Sequence, residues 1–187
     1  QPPTSAEIEA PLSDFGFDSR VSDEEYLQIS FDRNDNNEAK YSEIALRASQ
    51  KYIVDYLIAK AIMRRSSWNE KYVEGSAIGL MQIKKETATA MGCASDWDKK
   101  ADSNIDCGAK YLKHLIVHLQ TNNLKATVGN VIAGYRSGEE AMAYNKNPGH
   151  ETEAVWEDNA KYADTKNYVN QILSYYRTLS NQKPSKN

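Results

Sequence analysis

The sequence has no long apolar run, and it contains very little cysteine. Its apolar runs extend over only a handful of residues, whereas a helix that crosses a bilayer needs about 20 apolar residues in succession. We therefore predict no transmembrane segment. Cysteine occurs only at Cys93 and Cys107, and neither a CxxC pair nor a zinc-type pattern of cysteine and histidine is present. No metal or other cofactor is expected.

Strings of basic residues are also missing, since lysine and arginine never occur more than two in succession. With a net charge of −3, the composition is not that of a nucleic-acid-binding protein. Residues 1–37 hold nine acidic and two basic residues, while the remainder holds 21 basic and 17 acidic residues. We expect residues 1–40 to be an acidic leader that is weakly ordered or wraps the body, and that could contact a partner in an envelope complex.

Alternating strand patterns are absent, and the apolar spacing from residue 41 onward is typical of helices. For example, Ala109, Leu112 and Ile116 are spaced three and four residues apart, as on the inward face of one helix. The sequence therefore predicts a mainly α protein with a single helical domain over residues 41–180. Residues 181–187 are expected to form a frayed tail.

Two alternatives stay open for the cysteines, which are 14 positions apart. In an oxidising compartment a disulfide between Cys93 and Cys107 would close this loop and stabilise the fold by roughly 3 kcal/mol. In a cytosolic protein they would be two buried free thiols. His114 and His118 have the i,i+4 spacing of one helix face, but the sequence shows no carboxylate or thiolate companion for them. We expect both histidines to be surface residues.

Five segments match, in order, the motifs of one enzyme family. The most specific is Ser76–Ile83 (SAIGLMQI), followed by Thr87 and Ala88. It resembles the GAxGLMQ…TA signature of soluble lytic transglycosylases, relatives of goose-type lysozyme in glycoside hydrolase family 23. The other segments are AIMRRSSWN at 61–69 (family AIIxxESxxN), NIDCGAKYL at 104–112 (NIxxGxxYL), AGYRSG at 133–138 (AxYNAG) and TKNYV at 165–169 (ETxNYV). The resemblance covers about residues 41–176 and implies a lysozyme-like fold.

The resemblance also implies a substrate and a set of binding residues. Relatives cleave the β-1,4 bond between N-acetylmuramic acid and N-acetylglucosamine in peptidoglycan without water, which gives a 1,6-anhydro product. The matching positions imply that glycan strands bind at Ser76, Met81, Gln82, Tyr135, Arg136 and Tyr168. Gln82 offers both a donor and an acceptor to sugar groups, and Met81 a pliable apolar wall. Arg136 replaces the family's asparagine, and its guanidinium could instead bind a carboxylate of a peptide stem.

The residue that the chemistry needs most is missing from its expected place. Relatives use one glutamate, which protonates the leaving oxygen and then removes a proton from the C6 hydroxyl. Segment 61–69 contains no carboxylate. Alignment from the left places Ser66 at the position of the acid, and alignment from the right places Arg65 there. Neither side chain can donate that proton at neutral pH.

Three explanations for this absence stay open: a natural relative that does not cleave, an engineered inactive variant, or a glutamate missing between Arg65 and Ser66 from the sequence as written. Loss of one residue within a helix turns everything after it by about 100°, so we expect a conflict between the helix and the Trp68 loop. Glu70 and Glu74 are possible substitutes, but both are expected to point into solvent.

The function that follows is that of a peptidoglycan lytic transglycosylase, provided that the glutamate is present in the native protein. The alternative is a catalytically inactive peptidoglycan-binding module, or a scaffold of a cell-envelope machine. Either function places the protein in the periplasm, in the cell envelope or outside the cell of a bacterium. A lipid anchor on a longer precursor is compatible with both.

Overall fold

The computed structural model of the protein describes residues 17–185. The first 16 residues of the predicted leader, and residues 186–187 of the predicted tail, lie outside this range. The described part is mainly helical, as predicted, with one two-stranded antiparallel hairpin. Its elements are α1 (Asp23–Gln28), α2 (Asn36–Tyr52), α3 (Tyr56–Met63), β1 (Val73–Glu74), β2 (Ala77–Ile78), α4 (Lys85–Met91), α5 (Ala101–Thr121), α6 (Val128–Ser137) and α7 (Ala163–Ser180).

Short polar side chains fix where several of the helices begin. Ser22 and Glu25 form a capping box at the start of α1, in which each side chain accepts a hydrogen bond from the other's backbone N–H. Asp35, Asp55 and Thr127 cap α2, α3 and α6 by accepting hydrogen bonds from backbone N–H groups of the first turn. These caps satisfy donors that have no partner within the helix. None of the described helices is both long and apolar enough to cross a membrane.

The chain divides into two compact units, and both unit boundaries fall within helices, in α5 and α7. Of the described residues, the first unit comprises 17–113 and 175–185, and the second comprises 114–174. In the first unit every residue of α3 is buried. A disulfide between Cys93 and Cys107 joins the segment after α4 to α5, which agrees with the oxidising alternative.

The part of the leader that the structure describes is ordered. The predicted boundary between residues 40 and 41 falls inside α2, and residues 23–28 form α1. Val21, Tyr26 and Ile29 are buried, and the Tyr26 ring meets the Tyr56 ring edge-on at a centroid distance of 5.4 Å. Burial of these three apolar side chains stabilises the ordered state. The acidic composition of the segment did not indicate this burial.

A buried ion pair fastens this segment to α3. The side chains of Lys60 and Glu38 are each only 1% exposed, and Lys60 Nζ lies 3.1 Å from Glu38 Oε1. Lys60 also donates a hydrogen bond of 2.6 Å to the carbonyl of Ile29, and Glu38 accepts from the backbone N–H groups of Phe31 and Asp32. Because all these partners are present, both charges are compensated within the protein.

The beginning of the predicted tail is also held in place. The Gln182 side chain accepts a hydrogen bond from the N–H of Ser30 and donates one to the Ser30 carbonyl, at 3.0 and 2.9 Å. Lys183 Nζ lies 2.9 Å from Asp18 Oδ2. Residues 182 and 183 therefore do not fray, because the leader supplies partners that the local sequence could not reveal.

In the second unit, the stretch 137–163, which has no clear sequence pattern, folds around one tryptophan. The Trp156 side chain is 1% exposed, and its Nε1 donates a hydrogen bond of 2.8 Å to Asn130 Oδ1 on α6. Three short 3-10 helices cover this stretch, at Glu139–Met142, Val155–Glu157 and Ala160–Tyr162. This packing positions the beginning of α7 relative to α6 within the unit.

Candidate active site

The turn after α3 carries the position of the missing acid, and its backbone is unusual. Residues Arg64–Ser66 continue α3 as a 3-10 helix, and Ser67 and Trp68 follow in the left-handed region with φ values of 50° and 59°. Two successive residues of this kind are rare outside glycine. A 3-10 turn uses 3.0 residues where an α-turn uses 3.6. The chain therefore leaves the regular α-helix at this turn, and whether a residue is missing there stays a prediction.

Arg65 and Ser66, the two candidate positions for the acid, have different environments. Ser66 is completely buried, and its Oγ donates a hydrogen bond of 2.7 Å to the carbonyl of Met63. Arg65 is partly exposed, and its Nη2 lies 2.6 Å from both carboxylate oxygens of Glu74 on β1. Of the two, only the position of Arg65 faces the hairpin.

Both downstream glutamates have partners, although Glu70 is exposed, as expected, and Glu74 is partly exposed. The Glu74 carboxylate binds Arg65, as described above. Glu70 Oε1 accepts a hydrogen bond of 2.6 Å from the Tyr41 hydroxyl, and Lys40 Nζ lies 3.9 Å away. Burial, and then the hydrogen bond to Glu70, raises the pKa of Tyr41 to about 12. The side chain of Glu74 is therefore already paired with Arg65, and that of Glu70 with Tyr41.

Asn104, at the beginning of the NIDCGAKYL segment, holds the loop that carries the GLMQ motif. Its Oδ1 accepts a hydrogen bond of 2.8 Å from the N–H of Met81, and its Nδ2 donates to the carbonyls of Ile78 and Trp97 at 3.0 and 3.1 Å. Gly79 has a φ of 86°, and a Cβ there would lie 2.5 Å from Asn104 Nδ2. Gly79 and Asn104 come from two separate motifs, and Asn104 can pack against the loop because Gly79 has no side chain.

Gln82 ends this loop in a left-handed conformation, with a φ of 50°. Its Nε2 donates hydrogen bonds to the carbonyls of Tyr72 and Gly79, at 3.0 and 2.8 Å. Its Oε1 is buried and has no hydrogen-bond partner among the described residues. The donor half of the amide therefore shapes the loop, and the acceptor half is the one still able to gain a partner.

The loop exposes some of the predicted binding residues and buries others. Ser76 is exposed at the turn of the hairpin, and Gln82 is partly exposed. Met81, predicted as a wall for the sugar, is completely buried against Gly108, where a Cβ would lie 2.7 Å or less from three Met81 atoms. This corrects the assignment of Met81 to a substrate surface: its side chain packs in the core because Gly108 leaves room for it.

Arg136 and Tyr168, predicted as binding residues, meet in the second unit. The Arg136 guanidinium lies 5.1 Å from the centre of the Tyr168 ring, and its Nε and Nη2 donate to Asp164 Oδ2 at 3.2 and 3.0 Å. Asp164 was not a predicted site residue, although it directly precedes the TKNYV segment. Tyr168 and Tyr135 are 6% and 8% exposed, so both are mainly core residues.

His114 and His118 do have a carboxylate companion, contrary to expectation. Glu139, from the 3-10 helix after α6, places Oε1 at 2.5 Å from His114 Nε2 and Oε2 at 3.2 Å from His118 Nδ1. The two histidines share one face of α5, as their spacing predicted. The sequence could not reveal Glu139 because it lies 25 residues after His114 and is brought back by the turn between α5 and α6.

The fold and the arrangement of motifs define a mainly α, lysozyme-like protein in which a short hairpin and the beginning of a long helix hold a GLMQ loop. Residues 43–169 match the family described as the Transglycosylase SLT domain. This match covers more than half of the chain, and the protein belongs to that family.

Among the solved structures that match the chain is an inactive mutant of the lytic transglycosylase Slt from Pseudomonas aeruginosa, determined by X-ray crystallography. The TM-score is 0.55 and the sequence identity 24%, over 76% of this chain. The chain spans only 24% of the length of that protein, so the similarity concerns one part of a larger molecule. No curated protein sequence matches the chain.

Proposed function

We propose that the protein binds peptidoglycan glycan strands through its SLT domain, and that it is a lytic transglycosylase whose acid belongs in the Arg64–Ser66 turn. The family and the fold support the glycan-binding part. The Arg64–Ser66 turn, the hairpin and the loop held by Asn104 support the proposed position of the acid. As written, the chain binds strands without cleaving them.

The observation that carries this proposal is the pair formed by Arg65 and Glu74. Cleavage needs a group that gives a proton to the glycosidic oxygen. At the expected position stands a guanidinium, which stays charged and has no proton to give at neutral pH. Glu74 on β1 is bound through both oxygens to Nη2 of that guanidinium at 2.6 Å. The two contacts start from one nitrogen, Nη2, and they hold the Glu74 carboxylate as an ion-pair partner of Arg65.

With a glutamate in the turn, the reaction would use one carboxyl group twice. The acid protonates the oxygen that links the two sugars, and the bond between this oxygen and C1 of N-acetylmuramic acid breaks. The resulting carboxylate then removes the proton of the C6 hydroxyl, whose oxygen forms a bond to C1. The carboxyl group is restored, and the product is a 1,6-anhydro sugar that has taken up no water.

Two measurements on one sample test this proposal. The intact mass of the native protein shows whether a glutamyl residue is present beyond the written sequence. Incubation with purified sacculi, followed by separation of the soluble muropeptides and of the bound protein, then reports cleavage and binding. Protein of the written mass is expected to sediment with sacculi and to release no 1,6-anhydromuropeptides. Failure to sediment with sacculi would contradict the glycan-binding function.

The second candidate is a binding module, or a scaffold of an envelope machine, that is inactive by nature. The Arg65–Glu74 pair favours it in one respect, because it occupies the site with a stable, charge-compensated contact. A native protein of the written mass would support this candidate, and a mass larger by one glutamyl residue would support the enzyme. We place either protein in the periplasm or cell envelope, where its substrate lies and where the Cys93–Cys107 disulfide can form.

A further inference from the structure

The connection between α6 and α7 brings together three side chains that can bind a metal ion. One ligand atom from each of His150, Glu153 and Asp158 lies within 4.8 Å of the other two. His150 Nδ1 is 3.0 Å from Glu153 Oε2 and 3.4 Å from Asp158 Oδ2. The three side chains are 40–47% exposed, so an ion can reach them from solvent. Among residues 17–185 no other group of three meets this spacing.

The backbone holds His150 and Glu153 on a closed loop, and Asp158 follows shortly after it. Tyr144 and Ala154 form an antiparallel bridge at its base. The N–H of Asn145 donates to the Glu153 carbonyl, and that of Val155 to the Ala143 carbonyl, both at 2.8 Å. Asp158 follows the 3-10 helix that contains the buried Trp156, so its position is fixed from the core.

The local charge and the ligand spacing suit a divalent cation. Residues 147–160 contain Glu151, Glu153, Glu157 and Asp158, and no lysine or arginine. In a tetrahedral zinc site with bonds of about 2.0–2.1 Å, neighbouring ligand atoms are about 3.3 Å apart. The separations of 3.0 and 3.4 Å from His150 Nδ1 fall close to this value.

We propose that His150, Glu153 and Asp158 form a binding site for a Zn²⁺-type divalent cation, with water completing the coordination. An imidazole nitrogen beside two carboxylate oxygens favours Zn²⁺ over Ca²⁺, which prefers oxygen ligands alone. The ion would tie the His150–Glu153 turn to Asp158 and so stabilise the connection between α6 and α7. This site is independent of the glycan-binding function, because none of its residues belongs to the SLT motifs.

Titration calorimetry of the full chain, freed of metal with a chelator, tests the site with zinc chloride and with calcium chloride. We expect one equivalent of Zn²⁺ to bind, no comparable binding of Ca²⁺, and a rise in Tm when Zn²⁺ is added. His150→Ala should abolish binding. Glu153→Gln and Asp158→Asn should each weaken it at least tenfold, whereas Glu151→Gln, which changes an exposed carboxylate of the same turn, should bind as the unchanged protein does.

The second histidine group provides the decisive comparison, because His114 and His118 with Glu139 are another place in residues 17–185 where Zn²⁺ could bind. His118→Ala is expected to leave the affinity unchanged. Absence of Zn²⁺ binding by the unchanged protein would overturn the proposal, and so would binding retained in His150→Ala or lost in His118→Ala. Circular dichroism of each metal-free variant identifies any that does not fold. If His150→Ala is such a variant, Glu153→Gln and Asp158→Asn decide the question.

Discussion

Inserting a glutamate between Arg65 and Ser66 should both stabilise the protein and give it cleavage activity. Ser67 and Trp68 adopt left-handed backbone conformations that cost about 1–2 kcal/mol each for residues other than glycine. If one additional residue lets the turn continue as an α-helix, both return to ordinary conformations. The expected gain in the free energy of unfolding is then about 2–4 kcal/mol, which for a chain of this size raises Tm by roughly 5–15 °C.

The gain in activity has a separate magnitude. A positioned general acid and base contributes about 10²–10⁴-fold to a rate. The insertion variant should therefore release 1,6-anhydromuropeptides from sacculi at a rate at least 100-fold above that of the chain as written.

A matched insertion of glutamine separates the two effects, since it restores the same chain length without an acid. Thermal unfolding and muropeptide chromatography are measured on both variants. We expect both insertions to raise Tm by a similar amount and only the glutamate variant to cleave. If both insertions lower Tm and neither cleaves, the turn is complete as it stands and the reasoning about a missing residue is wrong.

Three further predictions concern stability. Burial raises the pKa of Asp55 from 3.8 to about 6, so its contribution is full below about pH 4 and is lost as pH rises through 6. Asp55 Oδ1 caps α3 and Oδ2 accepts a hydrogen bond of 3.0 Å from the Tyr176 hydroxyl. Asp55→Asn, which keeps one acceptor and carries no charge, should therefore be more stable relative to the unchanged protein at pH 7 than at pH 3.5, as measured by urea unfolding. Hydrogen bonds from Arg20 and Lys183 hold the pKa of Asp18 well below its ordinary value, so Asp18→Asn should lose stability at pH 7, and that loss should shrink below about pH 4. Asn104→Ala removes three hydrogen bonds from the GLMQ loop and should cost about 2–4 kcal/mol in urea unfolding, and Asn104→Asp should also destabilise at pH 7, because it would turn a buried carboxylate oxygen toward the carbonyls of Ile78 and Trp97.

The helical fold could be predicted from the sequence because spacing along one helix reports burial directly. The apolar positions of α5 and α6 are buried as their three- and four-residue spacing requires. The structure of the leader was harder to predict, because its three buried apolar side chains lie among nine acidic residues. The acidic composition therefore led to a prediction of weak order. Its ion-pair partner, Lys60, lies in an otherwise apolar helix, where an isolated lysine signals a buried acid elsewhere in the chain.

The motifs predicted a candidate site, but they could not predict which of its residues are buried or which contacts they make. The GLMQ segment indicated a loop, but it could not show that Met81 is buried while Gln82 is partly exposed. Met81 can be buried because Gly108, 27 positions after it in the sequence, leaves room for its side chain. The pairing of Glu139 with two histidines, and of Asp164 with Arg136, likewise depends on turns that bring distant residues together. Single motifs carry no information about such contacts, since they record only residues that are neighbours in sequence.

The Arg65–Glu74 pair has a consequence for how the missing acid is understood. A carboxylate introduced at the turn would enter a place where one guanidinium already holds one carboxylate, with side-chain exposures of 19% and 32%. Two carboxylates that share one cation in a partly buried place disfavour the second negative charge, which keeps one of them protonated at higher pH. A protonated carboxyl group is what the first step of cleavage requires. The Arg65–Glu74 pair would therefore form part of the environment of a glutamate added at this turn.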